Sequence, residues 1–391
     1  MRQVYLDHIS RTPLLPEVRE AMESYEREGR GNPSSLHRLG RKSAKALDEA
    51  REKVASLIGA SSDEIIFTSC GTEANNFAIK GIAAASEKKG NHIIVSSIEH
   101  FSVLYAARRL ERQGYRITRL PVDARGRVNP EDLRKAITPE TVLVSVMHAN
   151  GEVGTIEPIR ELSGIAKEHG ILFHTDAVSS CGTLPVSVEE LGVDALTLAA
   201  DPFYGPVGAA ALYLRKGTKI IPFLDGGGQE EGRRSGTENV PAIVGIGKAA
   251  EMARLHMPER AYRLARLREP LIEGLLAVKD VTLNGHPVER LPGHVSVSVT
   301  DVEGEALLLS LDMNGIFVGN GSACNSKAMK SSHVLQAMGI PDKLAQGTVV
   351  MSLGIEIQEE DITYVLKVFP EAVAKLRELG ICATQGVRLS Q

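Results

Sequence analysis

Phe67-Thr68-Ser69-Cys70-Gly71-Thr72-Glu73-Ala74-Asn75-Asn76 reads as the end of a strand, a tight turn and the start of a helix. Glu64–Thr68 is short and rich in β-formers, and apolar residues at helical spacing run from about Glu73 to Ala85. The same alternation extends in both directions. Upstream, Glu17–Glu28 and Arg41–Ile58 carry apolar residues three and four apart. Downstream come strand-like His92–Ser96, a helix from about Phe101 and strand-like Arg116–Pro121. Val142–Met147, Ile171–Thr175, Ala195–Leu198 and Ala209–Leu214 continue the series. Strands alternating with helices predict an α/β fold whose large domain has a mainly parallel sheet covered by helices. Ligands on such a sheet bind beyond the carboxyl ends of its strands.

From Asn239 to about Leu276 the pattern is largely helical. Past Val281, strands at His294–Thr300 and Thr348–Ser352 and helices at Glu303–Met313 and Glu360–Leu379 predict a smaller α/β domain. The expected division gives 15–255 to the large domain and 1–14 with 256–391 to the small one.

A chain of 391 residues is long enough for two cores. A formal net charge of −4 gives no footing for nucleic acid or a membrane surface. No signal peptide is evident at Met1–Asp7, and no run approaches a membrane span. Cys70, Cys181, Cys324 and Cys382 are widely spaced and form no CxxC pair, which predicts a reduced, cytoplasmic protein rather than a disulfide framework.

Three local patterns bear on chemistry. The backbone N–H groups of the Cys70–Thr72 turn suit an anion such as phosphate, with the Thr72 hydroxyl added, although a plain capped helix has the same sequence. Asp176, in His174-Thr175-Asp176-Ala177, ends an apolar strand and can accept a proton from a ligand nitrogen or cap the next turn. His100, after Ile98-Glu99, offers a ring to stack on a cofactor or to pack in a loop.

Taken together with further segments, these patterns resemble the cysteine desulfurases of the NifS/IscS type, within the fold-type I aminotransferase-like enzymes that use pyridoxal phosphate (PLP). The likeness runs from Tyr5-Leu6-Asp7 to Leu353-Gly354. It includes Gly31-Asn32-Pro33-Ser34-Ser35-Leu36-His37, the Thr68–Asn76 turn, Glu99-His100 and Met147-His148-Ala149-Asn150. It continues through His174–Ala177, Gly226-Gly227-Gly228-Gln229-Glu230, Arg234-Ser235-Gly236-Thr237 and Gly321-Ser322-Ala323-Cys324. The resemblance implies a homodimer in which the Arg234–Thr237 loop reaches the partner, and a cofactor pocket including Thr72, His100, Asp176 and Thr237. It also implies that Cys324 takes sulfur as a persulfide and passes it to an iron–sulfur scaffold protein. Lys327 and Lys330 beside Cys324 favour its thiolate.

The chain departs from that pattern at the centre. In Ala199-Ala200-Asp201-Pro202-Phe203-Tyr204-Gly205-Pro206-Val207-Gly208, Pro202 stands where the family's cofactor-bearing lysine would be. Gly151, Ser179 and Val350 replace an asparagine, a glutamine and the carboxylate-binding arginine, and Ile9-Ser10-Arg11 replaces Ala-Ala-Thr. Each lost charge-assisted contact weakens binding by about 1.5–3 kcal/mol. These losses speak against PLP as a cofactor. The expectation is a desulfurase-like sulfur-transfer protein in iron–sulfur assembly, working without PLP-dependent desulfuration, with Cys324 as persulfide carrier or cluster ligand. Two alternatives stay open: an active desulfurase with non-covalent PLP, and a pocket turned into a metal or iron–sulfur site. For the last, Cys70 and Cys181 fall beside the cofactor pocket with His100, Asp176 and Asp201, ligand types that suit transition metals. No spacing characteristic of a metal motif accompanies them.

Overall fold

The computed structural model describes residues 2–29, 31–320 and 332–380. Twelve strands are named here in chain order. The first eight are β1 (Val4–Leu6), β2 (Ile65–Thr68), β3 (His92–Ser96), β4 (Arg116–Leu120), β5 (Thr141–Ser145), β6 (Leu172–Asp176), β7 (Ala195–Ala199) and β8 (Ala210–Leu214). The rest are β9 (Val281–Leu283), β10 (His294–Val299), β11 (Ile316–Val318) and β12 (Thr348–Ser352).

A seven-stranded sheet in the order β2-β8-β7-β6-β5-β3-β4 forms the large core. Strands β3 to β7 run parallel to one another. Buried β3 and β5 lie inside the sheet, whereas the edge strand β4 exposes Arg116 and Arg119. Charged residues on an edge strand discourage pairing with another sheet. Strand β8 is antiparallel to both β2 and β7. The short link from β7 to β8 explains that reversal, because a parallel return needs a crossover of a dozen residues or more.

A second core gathers Val4 and Leu6 with Val295, Val297, Ile316, Met351 and Phe369. It covers the antiparallel sheet β12-β10-β9, and β1 pairs in parallel with β11, so the first strand of the chain packs with its C-terminal part. The helix Val240–Leu276, 37 residues long, joins the two cores. Its first half packs on the helix Arg38–Ile58, where a Cβ on Gly247 would lie 2.7 Å from the Ala50 Cβ; glycine permits the close approach. Its second half contributes Leu264, Leu267, Leu271 and Leu275 to the smaller core. Pro258 and Pro270 lie within it, each lacking one backbone donor.

Candidate cofactor site

The turn at Cys70 forms as its sequence predicts. The Cys70 sulfur caps the helix Gly71–Ala85 by accepting from the Glu73 N–H at 3.4 Å. A Cβ on Gly71 would lie 2.9 Å from Val178 Cγ2 and 3.8 Å from the Ala199 Cβ, so the turn sits against the carboxyl ends of β6 and β7. Thr72 is exposed there.

One turn into the same helix, Asn75 is fully buried and binds the other candidates together. Its Nδ2 donates to Asp176 Oδ2 at 2.6 Å and to Ser102 Oγ at 2.8 Å. Ser102 Oγ in turn lies 2.7 Å from His100 Nδ1. Asp176, the last residue of β6, also accepts from the Val178 N–H at 2.9 Å. Burial pushes the Asp176 carboxyl above its ordinary value, against the two N–H donors and the charge of His100. The site is therefore a buried carboxylate wired to a histidine whose residue remains exposed. Sequence reasoning placed Asp176 and His100 but missed Asn75 and Ser102. The available signal was a polar residue on a helix otherwise buried through Ala74, Phe77 and Ala78.

Beneath this relay lies Glu99, fully buried, whose Oε1 accepts from Ser96 Oγ at 2.5 Å and the Met147 N–H at 2.8 Å. Its Oε2 has no hydrogen-bond partner among the described residues, and burial pushes its carboxyl up to about 8. Glu152 and Glu157 are likewise pushed up to about 8 by burial.

The loop carrying Thr237 is pinned from two sides. Arg234 Nε donates to Glu73 Oε1 at 2.7 Å, and Glu230 accepts a fork from Arg51, both bonds 2.7 Å long. Thr237 itself is exposed.

The departures from the family pattern meet in space. A Cβ on Gly151 would lie 3.0 Å from Ser179 Oγ and 3.4 Å from Ile9 Cγ1. Ile9, Ser179 and Pro202 line one cavity of about 60 Å³. Pro202 occupies the short turn Asp201–Phe203. The Asp201 carboxyl beside it is raised by burial, and its Oδ1 has no partner among the described residues. Lys216 lies past β8 and pairs with Asp63 at 3.0 Å. Val350 is buried in β12.

The cysteines do not assemble. Cys181 is fully buried in the large core, and burial pushes its thiol up to about 12. Cys70 is exposed at its helix cap. No group of three or more metal-ligating His, Cys, Asp or Glu occurs among the described residues. Cys324, with Lys327 and Lys330, lies outside the described residues. No helix among the described residues is long and apolar enough to cross a membrane.

Comparison with known proteins matches residues 4–365 to the family model "Aminotransferase class-V". The chain belongs to the class-V aminotransferase family. It is 52% identical to the cysteine desulfurase IscS of Dictyoglomus turgidum, over 97% of this chain and 96% of that protein. It is 50% identical to the IscS of Methanosarcina thermophila, over 97% and 94%. A solved NifS-like protein superposes with a TM-score of 0.91 at 39% identity, covering 96% of this chain and all of that one. The fold-type I architecture follows from this agreement.

These relatives overturn one expectation. The sequence reading speaks against PLP and puts forward instead an iron–sulfur cluster, alone or shared with a scaffold protein, with Cys324 as its ligand, or alternatively a metal site in the pocket at Cys70 and Cys181. Full-length identity near one half to cysteine desulfurases, the PLP-using group within the family, contradicts that reading. The physical reason is visible in the pocket. The lost contacts gather around Gly151, Ser179 and Pro202, while the Asp176–Asn75–Ser102–His100 relay is complete.

Proposed function

We propose that the chain is a sulfur-transfer protein of the cysteine desulfurase type, serving iron–sulfur assembly as a homodimer, with Cys324 as its persulfide carrier. Its PLP pocket holds the cofactor without a covalent bond. Asp176 would hold the pyridine nitrogen, His100 the ring face, and the Cys70–Thr72 turn with Thr237 the phosphate. A buried carboxylate with no cationic side chain bonded to it among the described residues fits a protonated pyridine, and bound PLP supplies an electron sink. The observation that carries the reading is Pro202. It presents no amine at the end of β7, and Lys216 is held away beyond β8. The chain's own residues bind and orient the cofactor, but none at position 202 can bond it or move a proton there. Desulfuration of cysteine by the family's covalent route is therefore closed.

Sulfur reaches Cys324 by exchange. The Cys324 thiolate attacks the terminal sulfur of a donor persulfide, the donor S–S bond breaks, and the donor leaves as a thiolate. A scaffold thiolate repeats the exchange, so no oxidant or reductant is consumed. The division into 15–255 and 1–14 with 256–391 belongs to the same proposal, the second unit carrying Cys324.

The test is borohydride reduction of the protein mixed with PLP, followed by intact mass and by sulfide release from added cysteine. The wild type is expected to bind PLP reversibly, show no reduced PLP adduct at the site and release no sulfide. Pro202→Lys is expected to gain the adduct. A reduced adduct in the pocket of the wild type, or sulfide release at a desulfurase rate, overturns the proposal.

A further inference from the structure

His8, just past the end of β1, is buried with both ring nitrogens facing acceptors. Nδ1 lies 2.9 Å from the Ser352 carbonyl oxygen, and Nε2 lies 2.6 Å from Glu356 Oε1. A neutral imidazole has one N–H and one bare lone pair. Donating to Ser352, it turns the lone pair on the carboxylate; donating to Glu356, it turns the lone pair on the carbonyl. Satisfying both contacts takes one further proton, shared between the ring and the carboxyl. Gly354 permits the approach, because a Cβ there would collide with Nε2.

The groups around the pair are few. The Tyr5 ring packs edge-on at 4.8 Å and the Tyr204 ring lies at 6.5 Å. Asp7 adjoins His8 in the chain, and Asp201 and Arg11 act on Tyr5. From the long helix, Arg260 sits over the Tyr204 ring and Arg263 donates to the carbonyls of Ile355 and Ile357. Against burial, the hydrogen bond and charge of His8 hold the Glu356 carboxyl below its ordinary value. The two partners differ in freedom, with 4% of the His8 side chain exposed against 44% for Glu356. The carboxylate can swing to water, and the ring cannot.

This pair is joined to the turn that carries Pro202. The N–H of Ile355, next to Glu356, donates to the Tyr204 hydroxyl at 3.0 Å. Tyr204 follows the turn Asp201–Phe203 and has a φ of 68°, a left-handed conformation that a bulky residue keeps only when its surroundings hold it. Its own N–H donates to Thr12 Oγ1 at 3.0 Å. His8, Tyr204, Ser352 and Ile355 share with Pro202 the wall of the cavity of about 60 Å³. We propose that His8 and Glu356 form a proton-dependent latch, with His8 as a positioning residue for the Pro202 turn through Ile355 and Tyr204.

With the shared proton in place, residues 353–357 are fixed and Tyr204 is kept in its strained conformation. Loss of that proton sets a lone pair against the carboxylate. Glu356 then turns to water and the cavity wall beside Pro202 loosens. The latch uses neither PLP nor Cys324, so it stands or falls apart from the sulfur-transfer reading.

Amide hydrogen exchange of the full chain, read by mass spectrometry as protection factors from about pH 5 to about pH 8, where an imidazole changes charge, tests the latch. In the wild type, protection over residues 353–357 and 203–205 is expected to fall together by about 10-fold as pH rises, the loss of one charge-assisted contact. In Glu356→Gln the side-chain amide can donate to the bare Nε2 of a neutral ring, so protection is expected to stay high across the range. His8→Phe keeps the ring packing without either contact and is expected to show low protection throughout. Protection that does not change with pH in the wild type overturns the latch. An equal fall in Glu356→Gln, a change at an exposed position, does the same. Loosening confined to 353–357 overturns the link to the Pro202 turn.

Discussion

Replacing Glu230 by alanine tests how the loop bearing Arg234 and Thr237 is held over the pocket. Glu230 is 7% exposed and accepts two 2.7 Å bonds from Arg51. Its Oε2 also accepts from the Phe67 N–H of β2 at 2.9 Å. Glu230→Ala leaves the Arg51 guanidinium without its counter-ion and a buried backbone donor without an acceptor. Breaking a buried pair by removing one partner costs about 3–5 kcal/mol. At roughly 2.1 cal/mol/K per residue, the unfolding entropy of 391 residues is about 0.8 kcal/mol/K. The loss therefore lowers Tm by about 4–6 °C. Thermal unfolding followed by circular dichroism measures this directly. The double variant Arg51→Met with Glu230→Leu removes both charges together and is expected to recover most of the loss. A Tm within one degree of wild type, on the order of 1 kcal/mol or less, refutes the assignment of this fork as the loop's anchor. An equal loss in the double variant refutes the unpaired charge as its cause.

Asp176→Asn removes the carboxylate that pairs with a protonated pyridine and is expected to weaken reversible PLP binding about 10- to 100-fold, read by absorbance titration. Asn75→Ala strips a donor from both Asp176 and Ser102 and is expected to weaken PLP binding in the same direction. The Glu99 carboxyl is raised from 4.5 to about 8 in the folded chain. Between those values the folded state keeps a proton that the unfolded chain has lost, so this contribution to stability falls as pH rises from 4.5 to about 8 and is gone above it. Glu99→Gln is expected to flatten that part of the pH–stability curve, and an unchanged slope in urea unfolding would contradict the assignment.

Much of the fold was legible because its strands are short apolar runs between periodic helices. Strands β3, β6 and β8 fall within a residue or two of their predicted places. The three-residue strands β1, β9 and β11 were not read, since three residues are too few to show alternation. The helix Ile159–Glu168 was passed over although Ile159, Leu162, Ile165 and Ala166 carry helical spacing. In the site, Asp176 and His100 were legible from their places after strands. The Arg51–Glu230 fork joins residues 179 apart, a pairing that no local pattern announces. The reading against PLP failed for a spatial reason. It counted lost contacts along the chain, whereas those at Gly151, Ser179 and Pro202 lie together and the Asp176 relay is intact.

The central claim is that sulfur passes through Cys324 without covalent PLP chemistry at position 202. Anaerobic cluster assembly on a scaffold protein, supplied with a persulfide donor, tests it most directly. The account predicts that the wild type accelerates assembly, that Cys324→Ser abolishes the acceleration, and that Pro202→Lys leaves it unchanged with this donor. Equal acceleration by wild type and Cys324→Ser would contradict it.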